Sequence, residues 1–182
     1  MAQLPHQING ITDDSCVLGI VDPHTYTSFV DDAWSWKAIS DHFRSEMGRR
    51  TLLLWGTGAE HSWRIDLSAS PVDPRWPITR QTSGPISVSG GELVVVSWEV
   101  LAAAAIHKDE PVDVDKETCG TGIDLPNGNY VCTITQHNRP ERGERHGGPD
   151  FHLQLVPGEA RAWTGRAWRD EQSDAHCLEY EM

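Results

Sequence analysis

The chain has 182 residues and carries 27 acidic side chains against 15 basic ones, so its formal net charge is −12. This charge argues against direct binding to nucleic acid or to an anionic membrane surface, because both contacts depend on lysine and arginine. It favours a basic protein partner, since opposite charges steer association, although acidity alone also keeps a protein soluble.

The length suits one domain with a hydrophobic core. We therefore predict a single domain over residues 1–182, with a loose N-terminus at 1–13 and exposed loops at 69–85 and 138–149. Both loops are rich in proline and polar residues. Trp76 is predicted to pin the first of them to the core.

The cysteines and the apolar runs bear on cellular location. The four cysteines form no CxxC pair and no spacing typical of a structural zinc site. Cys16 and Cys132 lie in apolar runs and are predicted to be small buried side chains. The first residues lack the basic and apolar regions of a signal peptide, and no apolar run is long enough to cross a bilayer. We expect a cytoplasmic, reduced protein with no cofactor.

Two apolar runs in the first half of the chain are typical of buried strands. They cover residues 15–21 (SCVLGIV) and 51–55 (TLLLW). Residues 62–67 (SWRIDL) alternate between apolar and polar side chains, as a half-buried strand does. Because residues 57–61 (TGAEH) form a short polar break, we predict that they join 51–55 and 62–67 as a β-hairpin.

A helix is predicted between the first two strands. Asp31 or Asp32 is the candidate N-cap, and Gly48 is a plausible end. Four apolar side chains recur at helical spacing and define its buried stripe: Trp36, Ile39, Phe43 and Met47.

The second half contains several short strands and one alanine-rich helix. An apolar strand at 93–96 precedes the helix, and a turn at 127–128 is predicted to join strands at 120–125 and 130–136 as a hairpin. A further alternating strand follows at 151–156. Many short strands with only two helices predict a mainly β fold, a β-sandwich or partly open barrel, with an α+β variant as the alternative.

The segment 109–117 is the strongest candidate for function. Its acidic side chains are predicted to pair with lysine and arginine of a basic partner, for example in the groove of a nuclease. A solvated surface loop is the alternative interpretation. The predicted partner-binding residues are Asp109, Glu110, Asp113, Asp115 and Glu117.

Residues 56–61 are a weaker candidate for a ligand loop. Glu60 and His61 would supply an acid and a base. The segment lacks the lysine and following helix of a phosphate-binding loop, and no third group is evident to orient the pair. A hairpin turn that needs flexible glycines is the favoured interpretation.

Other chemistry has little support in the sequence. His137, His146 and His152 surround one glycine-rich loop, but their spacing is not that of metal ligands, and we predict no native metal. No Gly-x-Ser-x-Gly elbow occurs, and no cysteine lies at a recognisable helix start beside a basic residue. We therefore predict no catalytic residue.

Residues 86–157 contain a glycine-initiated strand, a helix entered by S-x-E/D-x-L, a variable acidic loop, and then P-x-G-x-Y. The residues that define this pattern are Ser97, Glu99, Leu101, Pro126, Gly128 and Tyr130. The pattern resembles that of bacterial immunity and nuclease-inhibitor proteins related to competence protein J. The later run FHLQLVP resembles the strand that closes such domains.

The resemblance implies a β-rich fold and an inhibitor or immunity role. It favours a protein that neutralises a basic toxin or nuclease by occluding its active site. Two alternatives stay open: a small enzyme or ligand-binding domain that uses residues 56–61, and a structural accessory domain.

Overall fold

The structure is a computed structural model that describes residues 4, 7–29, 35–103, 114 and 120–159. These residues form nine strands, two α-helices and a short 3-10 helix at Pro140–Arg142. The strands and α-helices are β1 (Gln7–Asp13), β2 (Val17–Val21), α1 (Trp36–Gly48), β3 (Leu52–Gly56), β4 (His61–Ser68), β5 (Arg80–Val88), β6 (Glu92–Ser97), α2 (Trp98–Ala103), β7 (Thr121–Asp124), β8 (Gly128–Gln136) and β9 (Phe151–Pro157).

The strands form two sheets. The five-stranded sheet has the order β1-β4-β9-β8-β5, and the four-stranded sheet has the order β3-β2-β6-β7. Neighbouring strands are antiparallel except for β4 and β9, which run parallel. The predicted mainly β fold with two short helices is therefore confirmed.

The four-stranded sheet packs against both helices and the other sheet. Helix α1 packs on β3, and α2 packs on β6 and β2. The five-stranded sheet contacts it through Phe151 of β9 and Trp55 of β3. Every residue of β2 and β3 is buried, whereas β4 alternates between buried and more exposed positions. This difference explains the sequence pattern, because a strand buried on both faces is apolar throughout and a half-buried strand alternates.

Aromatic side chains join the two sheets in the core. The Phe151 ring of β9 lies 5.1 Å from the Trp63 ring of β4, and 6.1 Å from the Trp55 ring of β3, between ring centroids. All three side chains are fully buried. Edge-to-face pairs of this kind add about 0.5–1.5 kcal/mol each beyond the burial of their area.

Two predicted hairpins are wrong. Strand β3 pairs with β2, while β4 pairs with β1 and β9, so residues 57–60 pass from one sheet to the other. In the same way, the turn at 127–128 connects β7 of the four-stranded sheet to β8 of the five-stranded sheet. An alternating pattern identifies a strand but not its partner, and here the partners come from distant parts of the chain. By contrast, β8 and β9, on either side of residues 138–149, do pair with each other as antiparallel neighbours.

Three predicted boundaries also need correction. Residues 7–13 of the supposedly loose N-terminus form β1, which pairs with β4. The predicted exposed loop at 69–85 is shorter, since β5 begins at Arg80 and contributes buried residues to the core. Helix α1 begins after Ser35, whose hydroxyl accepts a hydrogen bond from the Ala38 amide at 3.2 Å. A serine that satisfies a first-turn amide is a preferred N-cap, so Ser35 takes the place predicted for Asp31 or Asp32, which lie outside the described residues.

The predicted buried residues are largely confirmed. Ile39, Phe43 and Met47 of α1 lie in the core, and Cys132 of β8 is fully buried. Cys16 is only half-buried. None of the helices in the described part of the chain has the length and apolar character that a membrane span requires.

Candidate functional site

Several strand ends meet at one end of the five-stranded sheet. The pairing places Asp13, the last residue of β1, beside His61, the first residue of β4. Strand β9 starts at the same end, because it runs parallel to β4, and β8 finishes there at Gln136. The β8–β9 loop (residues 137–150) and the 57–60 crossing therefore lie at one end of the sandwich.

At this end of the sandwich, a buried carboxylate holds neighbouring backbone segments together. Asp13 is fully buried, and its Oδ1 accepts hydrogen bonds from the Ser15 and Val17 amides at 3.0 Å. Its Oδ2 accepts a hydrogen bond from the Thr57 hydroxyl at 2.7 Å. Burial raises the pKa of Asp13 above its ordinary value of 3.8, and the Thr57 hydrogen bond only partly opposes that shift.

The 57–60 crossing is held by the neighbouring strands. The Thr57 carbonyl accepts from Gln136 Nε2 at 3.0 Å and from Arg80 Nη2 at 3.2 Å. Gly58 has φ +85°, and a Cβ there would come within 2.6 Å of the Arg80 guanidinium. The segment is a packed crossing between the sheets and not the favoured hairpin turn, although Gly58 does supply a positive φ that the backbone needs there.

The two weak ligand-loop candidates have different environments. Glu60 is exposed, whereas His61 is half-buried and its ring contacts Trp63 edge-on, at 5.1 Å between centroids. His61 also lines a cleft, described below, and Glu60 does not.

The β8–β9 loop is organised around one buried amide. Asn138 Nδ2 donates to the Gly147 carbonyl at 3.1 Å and to Asp150 Oδ1 at 2.8 Å, and its Oδ1 accepts from the His146 amide at 2.7 Å. Only 3% of Asn138 and 8% of Arg139 is exposed. The loop was predicted to be exposed, but its first residues are anchored in the fold.

Trp76 packs against this loop. A Cβ added at Gly148 would lie 2.7–2.8 Å from atoms of the indole ring, so the ring lies directly against the Gly148 backbone. Trp76 therefore ties the connection between β4 and β5 to the β8–β9 loop.

Between β4 and this loop lies a cleft of about 320 Å³. Asp150 links its two sides: its amide donates to the Arg64 carbonyl at 2.8 Å, and its Oδ2 accepts from the Arg64 amide at 2.9 Å. The Arg64 Nε lies 3.6 Å from the same oxygen. The cleft is lined mainly by His61, Ser62 and Arg64 on the strand side and by Asn138, Arg145 and Asp150 on the loop side.

The three histidines around the loop do not come together as ligands. His137 is buried with its Nδ1 2.7 Å from the Pro77 carbonyl, and His152 Nε2 lies 3.2 Å from the Ser70 carbonyl. His146 is exposed. Burial lowers the pKa of His152. Within the described residues, no group of three histidine, cysteine or carboxylate side chains is placed to hold a metal ion.

Comparison with solved structures finds two similar chains. One is ComJ from Bacillus subtilis, an inhibitor of the DNA degrading activity of NucA, with a TM-score of 0.52 and 12% identity. The other is the crocagin biosynthetic gene J protein, with a TM-score of 0.55 and 14% identity. Each alignment covers 87% of this chain and 99% of the other.

This chain has the fold of ComJ. The resemblance predicted from residues 86–157 is thereby confirmed at the level of fold, and it extends over most of the chain. At these identities the likeness concerns the fold alone. No protein-family model matches the sequence, and a search of curated proteins finds no match.

The five predicted partner-binding carboxylates of segment 109–117 lie outside the described residues. Val114, in the middle of that segment, is described and is buried with 5% exposure. The assignment of Asp109, Glu110, Asp113, Asp115 and Glu117 to a partner surface stays a prediction.

Sequence reasoning missed the cleft itself. Its two sides are more than 70 positions apart in the chain, and neither side carries a motif. The available indication was the position of Arg64 on the polar face of an alternating strand.

Proposed function

We propose that this chain is an inhibitor that binds a nuclease or a related toxin and blocks its active site. The observation that carries the proposal is the fold shared with ComJ, which inhibits the DNA degrading activity of NucA. The net charge of −12 supports it, because an enzyme that acts on DNA binds a polyanion and an acidic inhibitor fits the same kind of surface.

The mechanism that we infer is steric and electrostatic occlusion. Carboxylates of segment 109–117 would take the positions that DNA phosphates occupy on the nuclease, and lysine or arginine there would pair with them. Such pairing speeds association and fixes the orientation of the partner. We expect no catalytic activity of the chain itself.

The second similar structure favours one other candidate. It is named for a biosynthetic gene, so an accessory role in a biosynthetic cluster is the alternative. Gene neighbourhood separates the two: a nuclease or toxin gene beside this one supports inhibition, and a cluster of biosynthetic enzymes supports the accessory role.

The decisive experiment is an inhibition assay with the nuclease encoded beside this gene. We expect the purified chain to abolish DNA degradation at about equimolar concentration and to form a stable complex on size-exclusion chromatography. Full nuclease activity at a tenfold excess of the chain in low salt would contradict the proposal.

Two charge-reversal variants, one in segment 109–117 and one elsewhere, test the role of that segment. Asp113→Lys, Asp115→Lys and Glu117→Lys together should weaken inhibition at least 100-fold, since like charges would then face each other. The matched control reverses three exposed carboxylates elsewhere, Asp14, Glu60 and Asp124, for which the described residues provide no hydrogen-bond or ion-pair partner. Both variants change the net charge equally, so equal loss in the two would reject a specific role for the segment.

A further inference from the structure

Arginine side chains in this acidic protein mostly have partners. Arg44 Nη1 donates to Asp41 at 2.9 Å, Arg50 Nη1 donates to Glu159 at 2.8 Å, and Arg75 Nε donates to Asp73 at 2.9 Å. Arg80 and Arg139 also donate hydrogen bonds through their guanidinium groups. A guanidinium has five N–H donors, and in each of these arginines at least one of them donates to a carboxylate or amide oxygen.

Arg64 and Arg145 are different. Neither guanidinium donates a hydrogen bond to any residue that the structure describes; Arg64 has only the 3.6 Å ion pair with Asp150. Both residues line the cleft between β4 and the β8–β9 loop. The two arginines whose guanidinium groups donate no hydrogen bond within the described part of the chain therefore lie at one concave surface.

His61 adds a third unused group to the same cleft. Its ring contacts Trp63, but its nitrogens make no hydrogen bond with the described residues. The ring contact limits the positions that the imidazole can take. His61 and Arg64 thus both line the strand side of the cleft.

The one carboxylate in the cleft does not cancel these donors. The Asp150 side chain is 9% exposed, and its two oxygens already accept from Asn138 Nδ2 and the Arg64 amide. Its remaining effect is to orient Arg64 through the 3.6 Å contact. The two arginines outnumber it, so the charged residues that line the cleft sum to a net positive charge within a protein whose net charge is −12.

We propose that this cleft binds the oxyanion group of a small ligand, either a phosphate monoester or a carboxylate. A guanidinium matches the paired oxygens of both groups with two parallel hydrogen bonds. The volume of about 320 Å³ lies at the lower end of the range for small-molecule sites. The proposal is independent of nuclease inhibition, which we assign to the acidic segment 109–117.

The test is an NMR titration of the ¹⁵N-labelled chain with inorganic phosphate and, separately, with succinate, at constant ionic strength. We expect the arginine Nε–Hε signals of Arg64 and Arg145 to shift and saturate, with a Kd of roughly millimolar size. Arg64→Gln and Arg145→Gln, which also assign the two signals, should each weaken binding at least fivefold.

Arg44→Gln is the matched control, because the Arg44 side chain is 47% exposed and that of Arg64 is 46% exposed. It should leave the affinity unchanged. Saturation with phosphate alone identifies a phosphate-bearing ligand, saturation with succinate alone identifies a carboxylate, and saturation with both supports a general oxyanion site. Linear shifts shared by Arg44 and Arg64, or no shift with either anion, would overturn the proposal.

Discussion

Asp13 shows how a single residue couples the fold to pH. It lies at the end of β1, fully buried, and accepts hydrogen bonds from two amides and from the Thr57 hydroxyl. Because burial raises the pKa of its carboxyl above 3.8, the folded protein binds this proton more readily than the unfolded chain does. The stability that the shift contributes is fully present below that ordinary value and is lost as pH rises through the raised pKa.

We therefore predict that Asp13→Asn gains stability relative to the unmodified protein as pH rises from 4 to 7. The asparagine has no proton to lose, and its amide can donate to the Thr57 hydroxyl, which in turn can donate to the Ala59 carbonyl, 2.9 Å away. Urea unfolding of both proteins at several pH values measures the difference in unfolding free energy. A difference that stays constant across this range would show that Asp13 does not titrate differently in the folded state.

At the scale of elements, Trp76 of the connection between β4 and β5 contacts the β8–β9 loop at Gly148. Gly143 and Gly148 both lie in the β8–β9 loop with positive φ, +72° and +55°, but only Gly148 has the Trp76 ring against it. A Cβ at Gly143 would meet nothing within 4 Å. Alanine substitutions at these two glycines therefore separate the cost of backbone conformation from the cost of steric overlap.

We predict that Gly148→Ala destabilises the protein by about 1–3 kcal/mol more than Gly143→Ala. Both changes carry a conformational cost of about 1–2 kcal/mol, and only the first forces Trp76 away from the loop. Chemical unfolding gives the two free energies. Equal destabilisation by the two substitutions would mean that Trp76 does not restrain the loop.

The strands also show which parts of the fold can be predicted from the sequence. Local patterns predicted β2, β3 and β4, because apolar runs and alternation follow directly from how many faces of a strand are buried. They did not predict that β3 and β4 belong to different sheets, since nothing local distinguishes a hairpin turn from a crossing between sheets. The cleft depends on that crossing and on the parallel pairing of β4 with β9, so the sequence could not predict the cleft either.

At the scale of the whole molecule, the charge of the residues that line the cleft is opposite in sign to the net charge of the chain. The chain has an excess of 12 negative charges, yet Arg64 and Arg145 lie together at one end of the sandwich. An approaching basic protein responds to the sum of all charges, while a small anion in the cleft responds to the nearest ones, because salt screens charges beyond about 8 Å under physiological conditions. The same protein can therefore attract a basic partner and hold an anion.

The net charge of −12 predicts how salt affects the proposed inhibition. The association rate of the chain with its nuclease should fall about 10- to 100-fold between 50 and 500 mM NaCl, because electrostatic steering is screened. The dissociation rate should change much less, since contacts in the formed complex are shielded from solvent. Stopped-flow mixing measures the first rate and displacement by excess unlabelled chain measures the second. An association rate that is independent of salt would show that net charge does not guide the encounter, even if inhibition itself is real.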